Sequence, residues 1–403
     1  MKKSRGNNRQ VALLIESSRA YGRGLLQGIA AFAREHGNWS VRHQEMTIEA
    51  DPPSWIPKWK SHGHGILIRA DTPQMFSVIE ELGLPAIDLC SWRATGQIPG
   101  FDTEALSVVK LAVDHLRDRG YTKFGFCGFG KAHYSERRLA EMREYVKSLG
   151  CGEVAAYESP SPPDATTFAS EQSGMLDQDG VAKWLSTLKG PIGILACNDI
   201  RAQQLLNTCF DIRLHVPDEI AVIGVDNDDV VSPLCSPPLT SVEPNTRRIG
   251  YEAAAMLERM MSGEAVPPAI TSIPAKRIVA RGSTDTIPVD DAEFVKAYRF
   301  IRENACRGVS VQDIADAVPM SRRALERRMR SYLSKSPAEV ISGVRLTRIK
   351  ELLETTSQPL RQIAKVTGFT HDEHMAKFFK KFVGIPPGKY RKKHRLESKV
   401  EEE

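Results

Sequence analysis

No apolar run in this 403-residue chain approaches the ~18 residues that a membrane-crossing helix needs. The opening MKKSRGNNRQ is basic, but the VALLIE that follows is too short, and too soon polar, for a signal peptide, so no membrane partner is expected. The seven cysteines are scattered, odd in number and without a C-x-x-C pair; this argues against a disulfide framework and for reduced thiols in a cytoplasm. GFCGFG at 125–130 lacks the G-x-G-x-x-G spacing of a dinucleotide site. The histidine pairs in HGH (62–64) and HDEH (371–374) lack companion ligands at metal-binding spacing. No cysteine has a His and Asn placed to activate it. No metal, cofactor or catalytic nucleophile is therefore expected.

Charge, by contrast, is unevenly spread. Residues 292–395 carry 23 Lys and Arg against 10 Asp and Glu, a net of +13, whereas residues 1–291 have a net of −5. Only the C-terminal part is suited to a polyanion. Within it, QDIADAVPMSRRALERRM cannot be one helix, because Pro319 lacks an N–H and disfavours helical geometry at Val318. Ser321 can cap a second helix that keeps Leu325 and Met329 on one side. The pattern returns about fifty residues later in RQIAKVTGFTHDEHMAKFFKKF, with Ile363-Ala364 matching Ile314-Ala315, Met375 and Phe379 matching Leu325 and Met329, and Gly368 at the bend. Two helix-turn-helix units are predicted, joined by a long helix through SPAEVISGVRLTRIKELLETT.

Before residue 282, short apolar strands alternate with amphipathic helices: VALLIE, GILIR, PAIDLC, KFGFCGF, IGILACN and IAVIGVD each precede a helical stretch. This predicts an α/β domain of doubly wound parallel sheets over 10–281, too long for one sheet and divided into two lobes around a cleft. Ligands bind at the carboxyl ends of such strands. Ser17 and Ser18, Asn198 and Asp199, and Asp226 and Asn227 sit there. Such groups either bind the hydroxyls of a neutral polyol or cap the next helix. SPSPPDATT (159–167) reads as a loop. GSTDTIPVDD (282–291) reads as the linker, stiffened by Pro288, with Asp290 or Asp291 capping the next helix. Residues 1–9 form a basic arm and 396–403 an acidic tail.

Residues 292–395 resemble AraC-type DNA-binding domains through VQDIADAVPMSRRALERRM, IAKVTGF and FKKFVGIPPGKYR. The preceding domain resembles the periplasmic-binding-protein-like sugar domains of LacI/GalR repressors through HLRDRGYTKFGFCG, RRLAEMREYV, ILACNDIRAQQLL and VPDEIAVIGVDN. That second resemblance implies sugar contacts from Asp102, at the start of a helix, and from Arg138, Asn198 and Asp226, beside the strand-end candidates Ser17 and Asn227. Glu141 stands where the repressors usually have Gly. About ten residues precede the first strand, so no N-terminal DNA-binding headpiece of the LacI type is expected.

The order of the two domains implies a sugar-responsive activator in the bacterial cytoplasm, on the nucleoid. Its implied partners are double-stranded DNA, D-xylose or a related pentose, a second copy of the chain, and RNA polymerase. The alternatives are a repressor released by sugar, and a carbohydrate-processing enzyme with Asp102, Asp199 or Asp226 as acid and base. On DNA, Arg322, Arg323, Glu326 and Arg327 are the expected readers of the first unit, with Glu326 either accepting from a base or orienting Arg322 or Arg330. In the second, Asp372, Glu373, His374 and Lys377 hold the matching positions, and Lys380 and Lys381 grip phosphates.

Overall fold

The computed structural model describes residues 8–45, 51–70, 72–90, 98–162, 165–285, 289 and 291–392. Most of the basic arm, the acidic tail, Pro288 and Asp290 lie outside the described residues. The chain forms two compact units, with the division between Pro288 and Val289.

In the first unit, strands β1 (Arg9–Leu14), β2 (Trp39–His43), β3 (Gly65–Ile68), β4 (Ala86–Asp88) and β5 (Gly100–Thr103) alternate with helices. They are followed by β6 (Phe124–Phe129), β7 (Ala155–Ser159), β8 (Ile192–Ala196), β9 (Ile220–Val225) and β10 (Thr240–Glu243). Two short strands close the unit, β11 (Ile270–Ile273) and β12 (Arg277–Val279). Two six-stranded sheets result, in the orders β11-β5-β4-β3-β1-β2 and β12-β10-β9-β8-β6-β7. Every neighbouring pair is parallel except β10 with β12. β3, β6, β8 and β9 are buried along their whole length, as sheets covered by helices on both faces require.

Each sheet is the centre of one lobe, and the chain passes between lobes three times: after β5, after β10 and after β11. The second passage uses helix Thr246–Met261. Its Ile249, Ala253 and Leu257 share a core with Leu25, Ile29 and Phe32 of helix Ala20–His36. The glycines of YGRGLLQG make that crossing close: a Cβ on Gly28 would lie 2.0 Å from the Arg247 carbonyl oxygen.

Two sequence boundaries shift. Arg9 is the first residue of β1, not part of a loose arm. Neither end of the expected 282–291 linker is loose. Gly282–Thr284 is a 3₁₀ turn with Ser283 and Thr284 fully buried, and Asp291 caps helix Ala292–Asn304 by accepting from the Phe294 N–H (3.0 Å). Most of 159–167 is loop as expected, although Ser159 ends β7 and Thr167 begins a helix, and 163–164 lie outside the described residues.

The second unit is all-α. Helices Ala292–Asn304, Val311–Ala317 and Arg322–Leu333 pack one core around Ile314, Leu325 and Met329. Helices Leu360–Val366 and Asp372–Val383 pack another around Ile363, Met375 and Phe379. The 19-residue helix Pro337–Thr355 serves both, giving Val340 and Ile341 to the first and Ile349 and Leu353 to the second.

Candidate functional site

The carboxyl ends of both sheets face one another across the cleft of the first unit. From β9 comes Asp226, in a conformation that L-residues rarely adopt (φ 116°), followed by Asn227 at φ 49°. Burial pushes the Asp226 carboxyl up to about 6, against the pull of Arg138, Arg69 and Arg19. No hydrogen bond reaches its carboxylate among the described residues. From helix His133–Ser148 comes Arg138, 6% exposed. One arm of its guanidinium donates to the Cys197 carbonyl, and the group lies over the Tyr134 ring, 5.2 Å from its centroid. From the end of β8 comes Asn198. It caps helix Asp199–Asp211 by accepting from the Arg201 N–H (2.8 Å) and donates through Nδ2 to the Tyr134 hydroxyl (2.8 Å).

Asp102 belongs to β5 and not to the helix after it, whose N-cap is Glu104. Its carboxylate accepts from the Thr103 N–H (2.7 Å) and from Arg137 Nη1 (2.7 Å). Burial raises the Asp102 carboxyl, and Arg137 opposes the rise. Thus Arg138 acts electrostatically on both Asp102 and Asp226, and Arg138 and Asn198 both meet Tyr134. The other two candidates turn elsewhere. Ser17 donates its hydroxyl to Glu45, and Asn227 Oδ1 accepts from Arg281 Nη2 (2.7 Å).

Among the described residues, three arginines make ion pairs that join the lobes around this network. Arg137 of the second lobe holds Asp102 of the first. Arg19 of the first lobe meets Glu171 of the second at 2.5 Å, and Glu171 also accepts from the Tyr134 hydroxyl (2.6 Å). Arg23 of the first lobe reaches Asp228 (3.0 Å) and Asp229 (3.4 Å) of the second. Deeper in the first lobe, Arg69 pairs with Glu16, which is 1% exposed, and stacks over Tyr21 at 4.9 Å. With Arg19, Arg69 and Arg137 each matched by an acid, Arg138 and Asp226 remain as donor and acceptor. The balance suits a neutral, hydroxyl-rich ligand.

Asp199 has a different task. It is 2% exposed and accepts from Ser241 Oγ (2.6 Å), the Asp228 N–H (2.7 Å) and Ser232 Oγ (3.3 Å). Burial, then the nearby Asp226, raises its carboxyl to about 8. It organises the turn after β9. With Asp102 engaged by Arg137, the described residues of the cleft present no free pair of carboxylates for acid–base work.

In the second unit, the expected turn chemistry is present. Ser310 and Asp313 form a capping box, Val318 is extended (φ −128°, ψ 148°), and Ser321 accepts from the Ala324 N–H (3.3 Å). Gly368 is left-handed at φ 81°. Arg322, Arg323 and Arg327 are exposed on helix Arg322–Leu333, and Glu326 pairs with Arg322 at 3.1 Å. On helix Asp372–Val383, Glu373, His374, Lys377, Lys380 and Lys381 are exposed and Asp372 is half-buried. Arg328 of helix Arg322–Leu333 points away, bound to Asp291 (3.1 Å) and Glu293 (2.9 Å).

Comparison with known proteins agrees with both halves. A periplasmic binding protein-like domain matches residues 113–284, and a helix-turn-helix domain matches 314–393. The xylose operon regulatory protein of Escherichia coli (strain K12) is 28% identical over 388 residues, covering 95% of this chain and 96% of that protein. The structure of the xylose-binding transcription activator xylR superposes with a TM-score of 0.76 at 25% identity, over 96% of this chain and 98% of that one. The chain is a transcription regulator that joins a periplasmic-binding-protein-like domain to a helix-turn-helix domain. It is not an enzyme. The E. coli repressor CytR is 25% identical over 230 residues, 55% of this regulator and 63% of CytR.

Sequence reasoning passed over Arg19, Arg69, Tyr134, Arg137 and Glu171 in the cleft of this regulator. Arg69 ends the GILIR strand and Arg137 adjoins Arg138, so strand-end position and adjacency were available signals. Arg19 follows the Ser17-Ser18 pair, but its partner Glu171 lies in another lobe, and no local pattern connects them. No helix among the described residues is long and apolar enough to cross a membrane.

Proposed function

We propose that the regulator binds D-xylose, or a closely related pentose, in the interlobe cleft and activates transcription of xylose catabolic genes in response. The observation that carries this reading is the end-to-end likeness to the E. coli xylose operon regulatory protein. The cleft supports it. Asp226 offers an open carboxylate, Arg138 a guanidinium edge that can fork onto adjacent hydroxyls, and Asn198 and Asp102 complete the polar wall. Apolar stems and Tyr134 supply the rest. The working form is a homodimer in the bacterial cytoplasm and nucleoid, contacting RNA polymerase from the bound operator. Arg322, Arg323 and Arg327 read bases in the major groove, with Glu326 orienting Arg322. The second helix grips phosphates through Lys380 and Lys381, with His374 and Lys377 toward the groove and Asp372 and Glu373 favouring the helix N-terminus.

Two experiments test this. Calorimetry with D-xylose, D-ribose and D-glucose should give the tightest binding for xylose; tighter ribose or glucose binding overturns the effector assignment. A reporter carrying the regulator's own selected site should rise with xylose. The likeness of the effector domain to the repressor CytR favours the opposite sign as a second reading, and a reporter that is off without sugar only when the regulator is present would establish it.

A further inference from the structure

We infer that Arg281 and Asn227 form a relay that carries the state of the effector site to the segment leading into the DNA-binding domain. The inference rests on the sugar-binding reading of Asp226. Asp226 and Asn227 are consecutive and both have positive φ (116° and 49°), so the side chain that faces the cleft and the one behind it belong to a single constrained turn. That turn is fixed from beneath: the Asp226 N–H donates to the Val242 carbonyl (3.0 Å), and the Asn227 N–H donates to Ser241 Oγ (3.0 Å). The Asn227 side chain is held by a residue outside the sugar network. Its Oδ1 accepts from Arg281 Nη2 at 2.7 Å, while Arg281 Nη1 donates to the Leu239 carbonyl at 2.8 Å.

Arg281 is the residue before the 3₁₀ turn Gly282–Thr284, and it is stitched to β10 by its backbone as well. Its N–H donates to Thr240 Oγ1 (2.7 Å), and its carbonyl accepts from the same hydroxyl (3.1 Å). Beyond it, Ser283 Oγ donates to the Val222 carbonyl (2.6 Å) of β9, and Thr284 Oγ1 meets His115 Nε2 (2.8 Å). The end of the effector domain is therefore anchored to the same two strands that present Asp226. A ligand that draws the Asp226 carboxylate into the cleft pulls on Asn227, and the fork of Arg281 converts that pull into a displacement at residue 282. A ligand can bias the DNA-binding state only through contacts that differ between states, and this fork is a contact that such a displacement changes.

The test uses the full chain and the DNA site it selects from a random-sequence pool in the presence of xylose. Three variants are compared with the parent. Arg281→Met removes the fork. Asn227→Gly removes its acceptor while keeping a residue at ease with positive φ. Asn227→Asp keeps an acceptor for Arg281. Calorimetry without DNA should find xylose binding within about threefold of the parent for Arg281→Met and Asn227→Gly. The xylose-dependent change in DNA affinity should shrink at least tenfold in both and be retained in Asn227→Asp. Linkage is reciprocal, so in the two uncoupled variants DNA should also cease to change xylose affinity. Full coupling in either uncoupled variant overturns the relay. Loss of xylose binding in Asn227→Gly also overturns it and returns Asn227 to the sugar site. Should the parent itself give no heat with xylose, it is the effector reading that fails, and that outcome is visible before any variant is made.

Discussion

At Asp226 backbone and side chain are both held away from their ordinary states, with φ at 116° and the carboxyl pushed up to about 6 by burial. The folded chain thus holds this proton more tightly than the unfolded chain does. Ionisation costs stability as pH rises from about 4 to about 6, and above that the cost is complete. The ionised form is also the acceptor for sugar hydroxyls. Xylose affinity should fall by up to about tenfold per unit below pH 6, as titration calorimetry across buffers can show. Asp226→Asn should flatten that profile and melt at a higher temperature than the parent at pH 7. Asp226→Ala should weaken xylose binding by about 10- to 100-fold, the loss of roughly 1.5–3 kcal/mol for hydrogen bonds to a charged group. Unchanged affinity in Asp226→Ala would remove that residue from the site.

Among the elements, the two exposed helices of the DNA-binding domain differ in what they can do. Helix Arg322–Leu333 offers planar forks at Arg323 and Arg327, whereas helix Asp372–Val383 offers point charges at Lys380 and Lys381 behind two acids. Arg327→Ala should lose about 1–3 kcal/mol on the selected site and relax preference at one base pair. Lys381→Ala should weaken all sequences alike and reduce the salt slope by about one. Footprinting on base-substituted sites separates the two; an equal loss on selected and random DNA in Arg327→Ala would contradict base reading. These helices were legible in the sequence because their caps, breaker and apolar spacing are local: Ser321, Pro319 and Gly368 each act within a few residues. The apolar strands were legible for the same reason. β2 (WSVRH) and β7 (AAYES) were not, because an edge strand only half covered by helices carries no apolar run. Within the cleft, Asn198 and Asp226 stood out by position at strand ends. Their surroundings did not: Glu171 becomes a site residue only because the fold brings it to Arg19 and Tyr134, and nothing local to Asn227 signals that Arg281, 54 positions away, holds its side chain.

For the whole effector domain, the ion pairs across the cleft set how readily the lobes close without sugar. Arg23 with Asp228 and Asp229 is the most exposed of them, with the Arg23 side chain 35% accessible, so its attraction is screened by salt. Apparent affinity scales with the fraction of closed molecules. Arg23→Gln should therefore weaken xylose binding two- to fivefold at 50 mM salt and by less at 500 mM. Equal loss at both concentrations would mean that Arg23 acts by something other than charge. The three passages of the chain between lobes have a further consequence, one for synthesis on the ribosome. β11 edges the first sheet and β12 the second, so both lobes wait for residues 270–279, and neither can be finished from the N-terminal half alone. The nascent effector domain must keep two incomplete sheets from pairing wrongly for most of its translation, while the helical domain after Val289, built from near neighbours, can fold almost as it emerges. Nascent chains stalled before residue 270 should be digested readily by protease, those extending past the buried turn at 282–284 should be protected, and expression should fail by aggregation of the first domain before it fails in the second.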